Sequence, residues 1–382
     1  MVSNGRSVGR TRGLVPGRGG RAVTLILATL TLLKVPVALA LLLIPPLTVE
    51  RYYGGVAFPL VTGVLVPLTG WTGLPLGFLT LPLLLLAFLL LLLDGRRRLR
   101  TRLLNALLLL SIVFSAYVII WGANYRRPSF TQAIGLHEIR PIDALQAREL
   151  AGWALAWLVA TSEAAPDEEG ALAAVGEKLT GMAATRLGLA DPQVNLRDAR
   201  YRFPVTLPTR LKSLPAGSLL RAGYAGMIFP LTLEPQVDGA LLPYQRVAIG
   251  AHELAHAAGF GPEVEADLVA LLATFSSGHE YARYSAALDL FGRVTAGLPA
   301  AQRLELEAEL PERARDDLAG AHELSRRYRS AALSGVVNLA YDGFLRGQGV
   351  EGGITQYRLL PTQAARARSE GLLPEPPALQ RN

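Results

Sequence analysis

Ala248-Ile-Gly-Ala-His252-Glu253-Leu-Ala-His256-Ala-Ala-Gly259 is the stretch from which the rest of the chain is best read. Two histidines four apart share one helix face, with Cβ atoms about 5–6 Å apart. That separation suits two bonds to one Zn²⁺. Glu253 follows the first histidine, where it reaches a water on the metal as general base. Leu254, Ala255, Ala257 and Ala258 complete the segment with small, helix-favouring side chains, as a buried active-site helix needs.

A third protein ligand must come from farther along. Gly259 predicts a left-handed helix end, and Pro262 predicts the first position of a new helix that begins Glu263-Val-Glu265-Ala-Asp267. Glu263 and Asp267 are four apart and share a face, whereas Glu265 points about 200° from Glu263. Glu263 is therefore the expected third ligand. Asp267 is the expected orienting carboxylate behind a ligand imidazole, and Glu265 should align with Val269 toward the core. Tyr281, Tyr284 and Tyr341 are candidate donors to a tetrahedral oxyanion. His322-Glu323 begins a second such pair, but Arg326 stands where its second histidine would be, so it reads as a solvated helix position. His279 reads as a helix-start neighbour.

Upstream, Met227-Ile-Phe-Pro-Leu-Thr-Leu233 predicts a strand. Pro230 pushes it to a sheet edge, because proline cannot donate to a ladder. Ile228, Phe229 and Leu231 are thus expected on an edge able to pair with an extended peptide. Helical patterns cover about 142–162, opened by an Asp143/Gln146 capping box, and about 167–188. Residues 191–218 read as irregular and proline-rich. From 244 to 346 the pattern is almost wholly helical, with breaks at 259–262, 276–278 and 298–299. Trp153-Ala-Leu-Ala-Trp157-Leu-Val159 is apolar but too short to span a bilayer. Residues 141–382 therefore read as one mainly α, zincin-like α+β domain with a small sheet.

The first 122 residues read as a membrane region. Spans are expected at about 22–49, 75–93 and 103–121, each near the roughly 20 apolar residues a bilayer crossing needs. Lys34 interrupts the first, at a cost of about 2.5–3.5 kcal/mol on insertion scales, and is expected to face another helix or snorkel. The first span also has the basic flank and Ala38-Leu-Ala40 site of a signal peptide, but its apolar run continues through Ile44, which favours an uncleaved anchor. Residues 51–74, rich in Gly, Pro and aromatic side chains, read as an interfacial or re-entrant segment. Residues 123–140 read as a juxtamembrane linker.

Charge orients the spans. Arg6, Arg10, Arg12, Arg18 and Arg21 precede the first, and Arg96, Arg97, Arg98, Arg100 and Arg102 crowd the connection between the second and third. Both clusters are expected on the cytoplasmic side, which puts everything after Trp121 outside a bacterial cytoplasmic membrane, against the weak opposition of Arg126 and Arg127. The net charge of +7 divides unevenly: 14 basic and two acidic residues up to Arg127, then 24 basic and 29 acidic. The outer part thus has no electrostatic footprint for nucleic acid. With no cysteine, disulfides and thiolate metal sites are excluded.

The chain resembles the bacterial domain-of-unknown-function family 3810, a group of membrane proteins with an H-E-x-x-H site. The resemblance rests on Ala123-Asn-Tyr-Arg-Arg-Pro128, Gly226-Met-Ile-Phe-Pro-Leu-Thr-Leu-Glu234, His252-Glu-Leu-Ala-His256 with Gly259-Phe260, and Glu263-Val-Glu-Ala-Asp267. Tyr284-Ser285, Tyr341-Asp-Gly-Phe-Leu-Arg-Gly-Gln348, Gly353 and Tyr357 extend it. Asp267 stands where that pattern usually has Asn, and Ala257 where it often has Gln. The family implies no activity, so the chemical expectation rests on the site: a zinc-dependent hydrolase, best read as a gluzincin-like metallopeptidase acting on peptide or protein substrates at the outer membrane surface. Two alternatives stand beside it, a hydrolase of non-peptide envelope amides and a non-catalytic membrane protein stabilised by zinc.

Overall fold

The computed structural model describes residues 43–136, 141–190 and 204–377. Three of its helices are long and apolar enough to cross a membrane: α1 Pro46–Gly70, α2 Leu76–Leu93 and α3 Leu99–Ile120. The second and third match the expected spans. The expected first span, 22–49, lies outside the described residues up to residue 42, as do Lys34 and the Ala38-Leu-Ala40 site, and its last residues open α1. Residues 51–74, read as an interfacial or re-entrant segment and not as a helix of their own, are mostly helical. Glu50–Ala57 within α1 is wound as a π-helix, a local widening that Pro and Gly patterning does not announce.

The strands and the longer helices that follow are α4 Ala144–Ala160, α5 Glu168–Ala190, β1 Lys212–Leu214, β2 Gly226–Phe229, β3 Glu234–Asp238, α6 Pro243–Ala257, α7 Glu263–Ser276, α8 Glu280–Thr295, α9 Ala300–Ala308, α10 Glu312–Tyr328, α11 Ala331–Gly347 and α12 Leu360–Ser369. The chain divides into two compact units. One includes Leu86–Ser115, and the other holds Leu43–Leu85 and the chain from Ala116 onward. The boundary therefore does not fall at residue 122. Helix α1 belongs with the helices and sheet that carry the histidines, and so does the expected linker. Asn124, Arg127, Phe130, Thr131 and Leu136 of that linker are all buried.

In the larger unit α4 to α8 enclose one apolar core built from Trp153, Trp157, Leu158, Leu179, Val247, Leu254, Leu268, Phe275, Leu288 and Phe291. Each such aliphatic or Phe side chain contributes about 1.5–3 kcal/mol on full burial. The predicted Asp143/Gln146 capping box starts α4: Asp143 Oδ1 accepts from Gln146 N at 2.8 Å, and Gln146 Oε1 accepts from Asp143 N at 3.1 Å.

The sheet runs β1-β3-β2, with β1 parallel and β2 antiparallel to the central β3. Strand β1 lies inside a stretch read as irregular. Strand β3, Glu-Pro-Gln-Val-Asp, has a polar sequence yet is wholly buried. Its two acids are buried on backbone N–H groups. Asp238 accepts from the N–H groups of Gly217, Leu219 and Ala240, at 2.8, 2.8 and 2.9 Å. Glu234 accepts from Gly77 N at 2.5 Å and Leu76 N at 3.3 Å, a carboxylate at the positive N-terminal end of α2. Opposite it, Lys212 of β1 donates to the carbonyls of Thr69 and Thr72 at the negative end of α1. The turn between α1 and α2 is thus clamped onto the sheet. The β2–β3 hairpin turns at residues 230–233 through buried Leu233, whose φ of +54° is unusual for a residue with a side chain. Leu231 therefore lies in the turn and not on the edge strand.

Candidate metal centre

Helix α6 presents two faces. Tyr244, Val247, Ala251, Leu254 and Ala258, spaced three and four apart, are buried in the core. The opposite face carries His252, Glu253 and His256 into a cleft. The helix ends in a Schellman motif: Gly259 N donates to His256 O at 2.8 Å and Phe260 N to Ala255 O at 3.2 Å. Gly259 has φ +94°, and a Cβ there would meet Arg127 Nη1 at 2.5 Å and Phe58 at 2.9 Å. Only glycine fits both constraints. This reversal, with Pro262 as the cap of α7, turns Glu263 back toward the histidines.

Glu263 Oε2 lies 3.1 Å from His252 Nε2 and 3.3 Å from His256 Nε2. One ligand atom from each of the three residues falls within 4.8 Å of the others, and no other such group of three occurs among the described residues. The outer ring nitrogens define what the inner ones are. His256 Nδ1 donates to the carbonyl of Phe260 at 2.8 Å, which leaves its Nε2 as a lone-pair acceptor. His252 Nδ1 lies 2.8 Å from Asp267 Oδ1, a close approach though off the line of a good hydrogen bond. Three acceptors therefore converge on one point, and only a cation or protons relieve that arrangement. The donor set of two imidazoles and one carboxylate suits Zn²⁺.

Without a metal, a proton takes that place. Burial opposes charge on His252, but Asp267 and Glu263 outweigh it and hold its pKa well above the usual histidine value. Burial also works against a charged Glu263, and the two histidines overcome it, leaving its carboxyl well below the ordinary range. Asp267, also desolvated, is kept ionised by Arg293 and His252. Arg293 Nη1 stands 3.5 Å from Asp267 and its Nε 2.8 Å from Asp289. Glu253 differs. Burial, only partly offset by the histidines, pushes it up to about 7, and its Oε2 is buried with no hydrogen-bond partner. A desolvated carboxylate with an uncommitted oxygen beside the two histidines is what a general base requires.

The three candidate tyrosines part company. Tyr341 of α11 donates its hydroxyl to Glu263 Oε1, so it fixes that carboxylate from behind. Tyr281 and Tyr284 of α8 do not face the cleft. They stack on each other at 6.0 Å beneath Arg313, and Tyr284 donates to Asp317 at 2.7 Å. Their spacing marks a packed helix face and carries no information about distance to the histidines. His279 caps α8 and pairs with Asp167, and His322 lies on α10 outside the metal-ligating group.

Glu265 is turned from the cleft as expected, but into a buried ion network. Its Oε2 accepts from Arg186 Nη2 at 3.1 Å and its Oε1 from Phe130 N at 2.8 Å. Arg186 and Arg127 both donate to the carbonyl of Gly259, at 3.2 and 3.3 Å, and Arg127 forms a two-bond pair with Glu50 of α1. Two acids and two arginines thus lock the end of α6. Sequence reasoning missed this network, whose members lie on four separate segments.

Strand β2 borders the cleft. Gly226 lets it approach closely, since a Cβ there would meet Glu253 Oε1 at 2.6 Å. Asp238 N donates to Ala225 O at 2.9 Å, which makes this opposed pair a hydrogen-bonded one. By alternation Met227↔Gln236 is another, while Gly226↔Val237 and Ile228↔Pro235 are not. The main-chain groups of Gly226 and Ile228 therefore point to the open edge, and Pro235 sits where no N–H is needed. On one side of His252 and Glu253 an apolar cavity of about 370 Å³ is lined by Trp121, Tyr125, Met227, Ile228, Val337 and Phe344. Trp121 packs edge-on against His256 at 5.7 Å. On the other side a cavity of about 410 Å³ carries Arg293, Asn338, Thr355 and Arg358. A larger cavity of about 940 Å³ near Gln146 and Arg366 lies apart from these residues. Trp121, Tyr125 and Gly226 carry no catalytic signature in sequence. For Tyr125 and Gly226 the one advance signal is membership of the motifs on which the family resemblance rests, and Trp121 lies outside those motifs.

The family model described as "Protein of unknown function (DUF3810)" matches residues 53–362, and the chain belongs to that family. The match includes every residue of the candidate centre. No curated protein and no solved structure matches the chain.

Proposed function

We propose that the chain is a membrane-anchored zinc hydrolase, a zincin-like metallopeptidase acting on peptide or protein substrates at the outer face of a bacterial cytoplasmic membrane. The observation that carries this reading is the convergence of His252 Nε2, His256 Nε2 and Glu263 Oε2 beside the uncommitted carboxylate of Glu253. His252, His256 and Glu263 would hold the zinc, with Asp267 and Tyr341 orienting two of them. Bound zinc supplies a Lewis acid and an acidified water. Glu253 takes a proton from the attacking water and passes it to the leaving amine. The outward main-chain groups of Gly226 and Ile228 pair with an extended backbone, and the apolar cavity receives a large hydrophobic side chain. The arginine clusters flanking the spans support the outward orientation.

The test uses the full chain, because α1 packs on the metal-bearing domain. Purified protein should hold close to one zinc, lose it on His252→Ala or His256→Ala, and cleave members of a peptide library. Glu253→Gln should retain zinc and lose about 10²–10⁴-fold in turnover. Zinc-loaded protein that is inert toward peptides but active on non-peptide amides would redirect the substrate class. Indifference of every measured function to Glu253→Gln would leave the metal a structural role.

A further inference from the structure

Helix α1 satisfies the length and composition of a membrane crossing. At about 1.5 Å per residue its 25 residues exceed the roughly 30 Å hydrocarbon core. Its attachments contradict a crossing. At its start, Glu50 pairs with buried Arg127. In its middle, Phe58 sits fully buried against Gly259 and in one cluster with Trp121, Ile228 and Ala257, and Thr62 Oγ1 accepts from Thr206 N at 3.1 Å. At its end, Thr69 donates to Thr232 O at 3.3 Å while Lys212 caps the last turn. One folded body grips the helix along its whole length. A crossing helix would carry those grips to opposite sides of the bilayer.

The two faces of α1 also differ. Phe58, Thr62, Val66 and Thr69 form the buried row. The opposite row, Leu60, Val64, Leu68 and Trp71, is 54, 60, 60 and 81% exposed. No charged residue occurs between Arg51 and Asp94, so this row is wholly apolar, and Leu74, Phe78, Leu79, Leu81, Leu83 and Leu85 that follow it in the chain are exposed as well. An apolar stripe ending in Trp, followed in the chain by a helix of mean hydropathy 2.8, matches lipid and not water.

We propose that α1 does not cross the bilayer but lies in its surface, with the Leu60-Val64-Leu68 row in lipid, Trp71 at the water-accessible headgroup boundary and the opposite row bearing the metal-binding domain. The pairing of Phe58 with Gly259 then holds the end of α6 about one helix diameter, ~10–12 Å, from the lipid. Under the hydrolase reading, this confines substrates to segments close to the membrane. The inference about α1 stands independently of that chemistry.

The chain has no cysteine, so single-cysteine variants report cleanly. Full-length L47C, L60C, V64C, L68C and W71C would be reconstituted in phosphatidylcholine–phosphatidylglycerol vesicles. A polarity-sensitive fluorophore on each would be quenched by nitroxides at known acyl depths. Labels at 60, 64 and 68 should report one shared shallow depth, within ~5–10 Å of the headgroup boundary. L47C and W71C should react with a membrane-impermeant maleimide from the same side. Depth changing by ~1.5 Å per residue, with the two ends labelled from opposite sides, would overturn the proposal. Labels shielded from both lipid quencher and aqueous reagent would overturn it too, by showing the row covered by protein. All five positions are exposed, and each variant's melting temperature checks its fold. Neither zinc nor activity enters the readout.

Discussion

Glu263 and Glu265 are both buried acids two residues apart on α7, yet they should fail in different ways when truncated. Glu263→Ala removes one of three converging donors, and zinc affinity should drop by more than the ~10–100-fold typical of losing an outer partner. It also removes the carboxylate that pairs with the protonated His252 of the metal-free protein, so zinc affinity and not the melting temperature is its readout. Glu265→Ala removes no donor. It strips Arg186 of its nearest carboxylate, leaving Glu50 at 3.7 Å as the remaining acid, and it orphans Phe130 N. Breaking a buried pair by removing one partner costs about 3–5 kcal/mol. At roughly 2–4 °C per kcal/mol for a domain of this size, that is a fall of about 6–20 °C in melting temperature. Zinc affinity, measured by competition with a chelating dye below the variant's melting range, should change little. Sequence spacing alone gives the mild effect of Glu265→Ala on zinc, and the ion network adds the loss of stability. Loss of zinc from Glu265→Ala with an unchanged melt, beside a zinc-retaining Glu263→Ala, would refute the assignment of both residues.

Three further outcomes follow from the same geometry. Zinc binding should weaken as pH falls and should release a proton near neutrality, because the raised pKa of His252 keeps the metal-free ring protonated above the usual histidine range. Asp267→Asn should lower that pKa and flatten the dependence; calorimetry in buffers of different ionisation enthalpy counts the proton, and zero release would contradict the assignment. Tyr341→Phe frees Glu263 Oε1 and should cost about 10–100-fold in zinc affinity, and an unaltered affinity in the dye competition would remove Tyr341 from the centre. A reporter active only outside the cytoplasm should work when fused after Pro128 and fail at Gly95; the reverse pattern would place the cleft inside the cell.

What the sequence determines by itself is local. The four-residue spacing of His252 and His256, the left-handed stop at Gly259 and the shared face of Glu263 and Asp267 all lie within 16 residues. Over that distance helix periodicity and cap chemistry settle geometry without help from the rest of the chain. The capping box of α4 and the apolar runs of α2 and α3 are legible for the same reason. What only the tertiary structure decides joins residues far apart in the chain. Tyr341 reaches Glu263 across 78 positions, and Glu50 meets Arg127 across 77. Nothing in the local pattern separates Tyr341 from Tyr284, or a paired Glu265 from an idle one. Strand β3 escaped detection because its two acids are buried on backbone N–H groups, Glu234 at the start of α2 and Asp238 on the chain around Gly217 and Leu219, which reverses the usual link between polarity and exposure. Helix α1 shows the same limit at larger scale: its composition fits a membrane crossing, and only the contacts at its start, middle and end tie it to a single folded body.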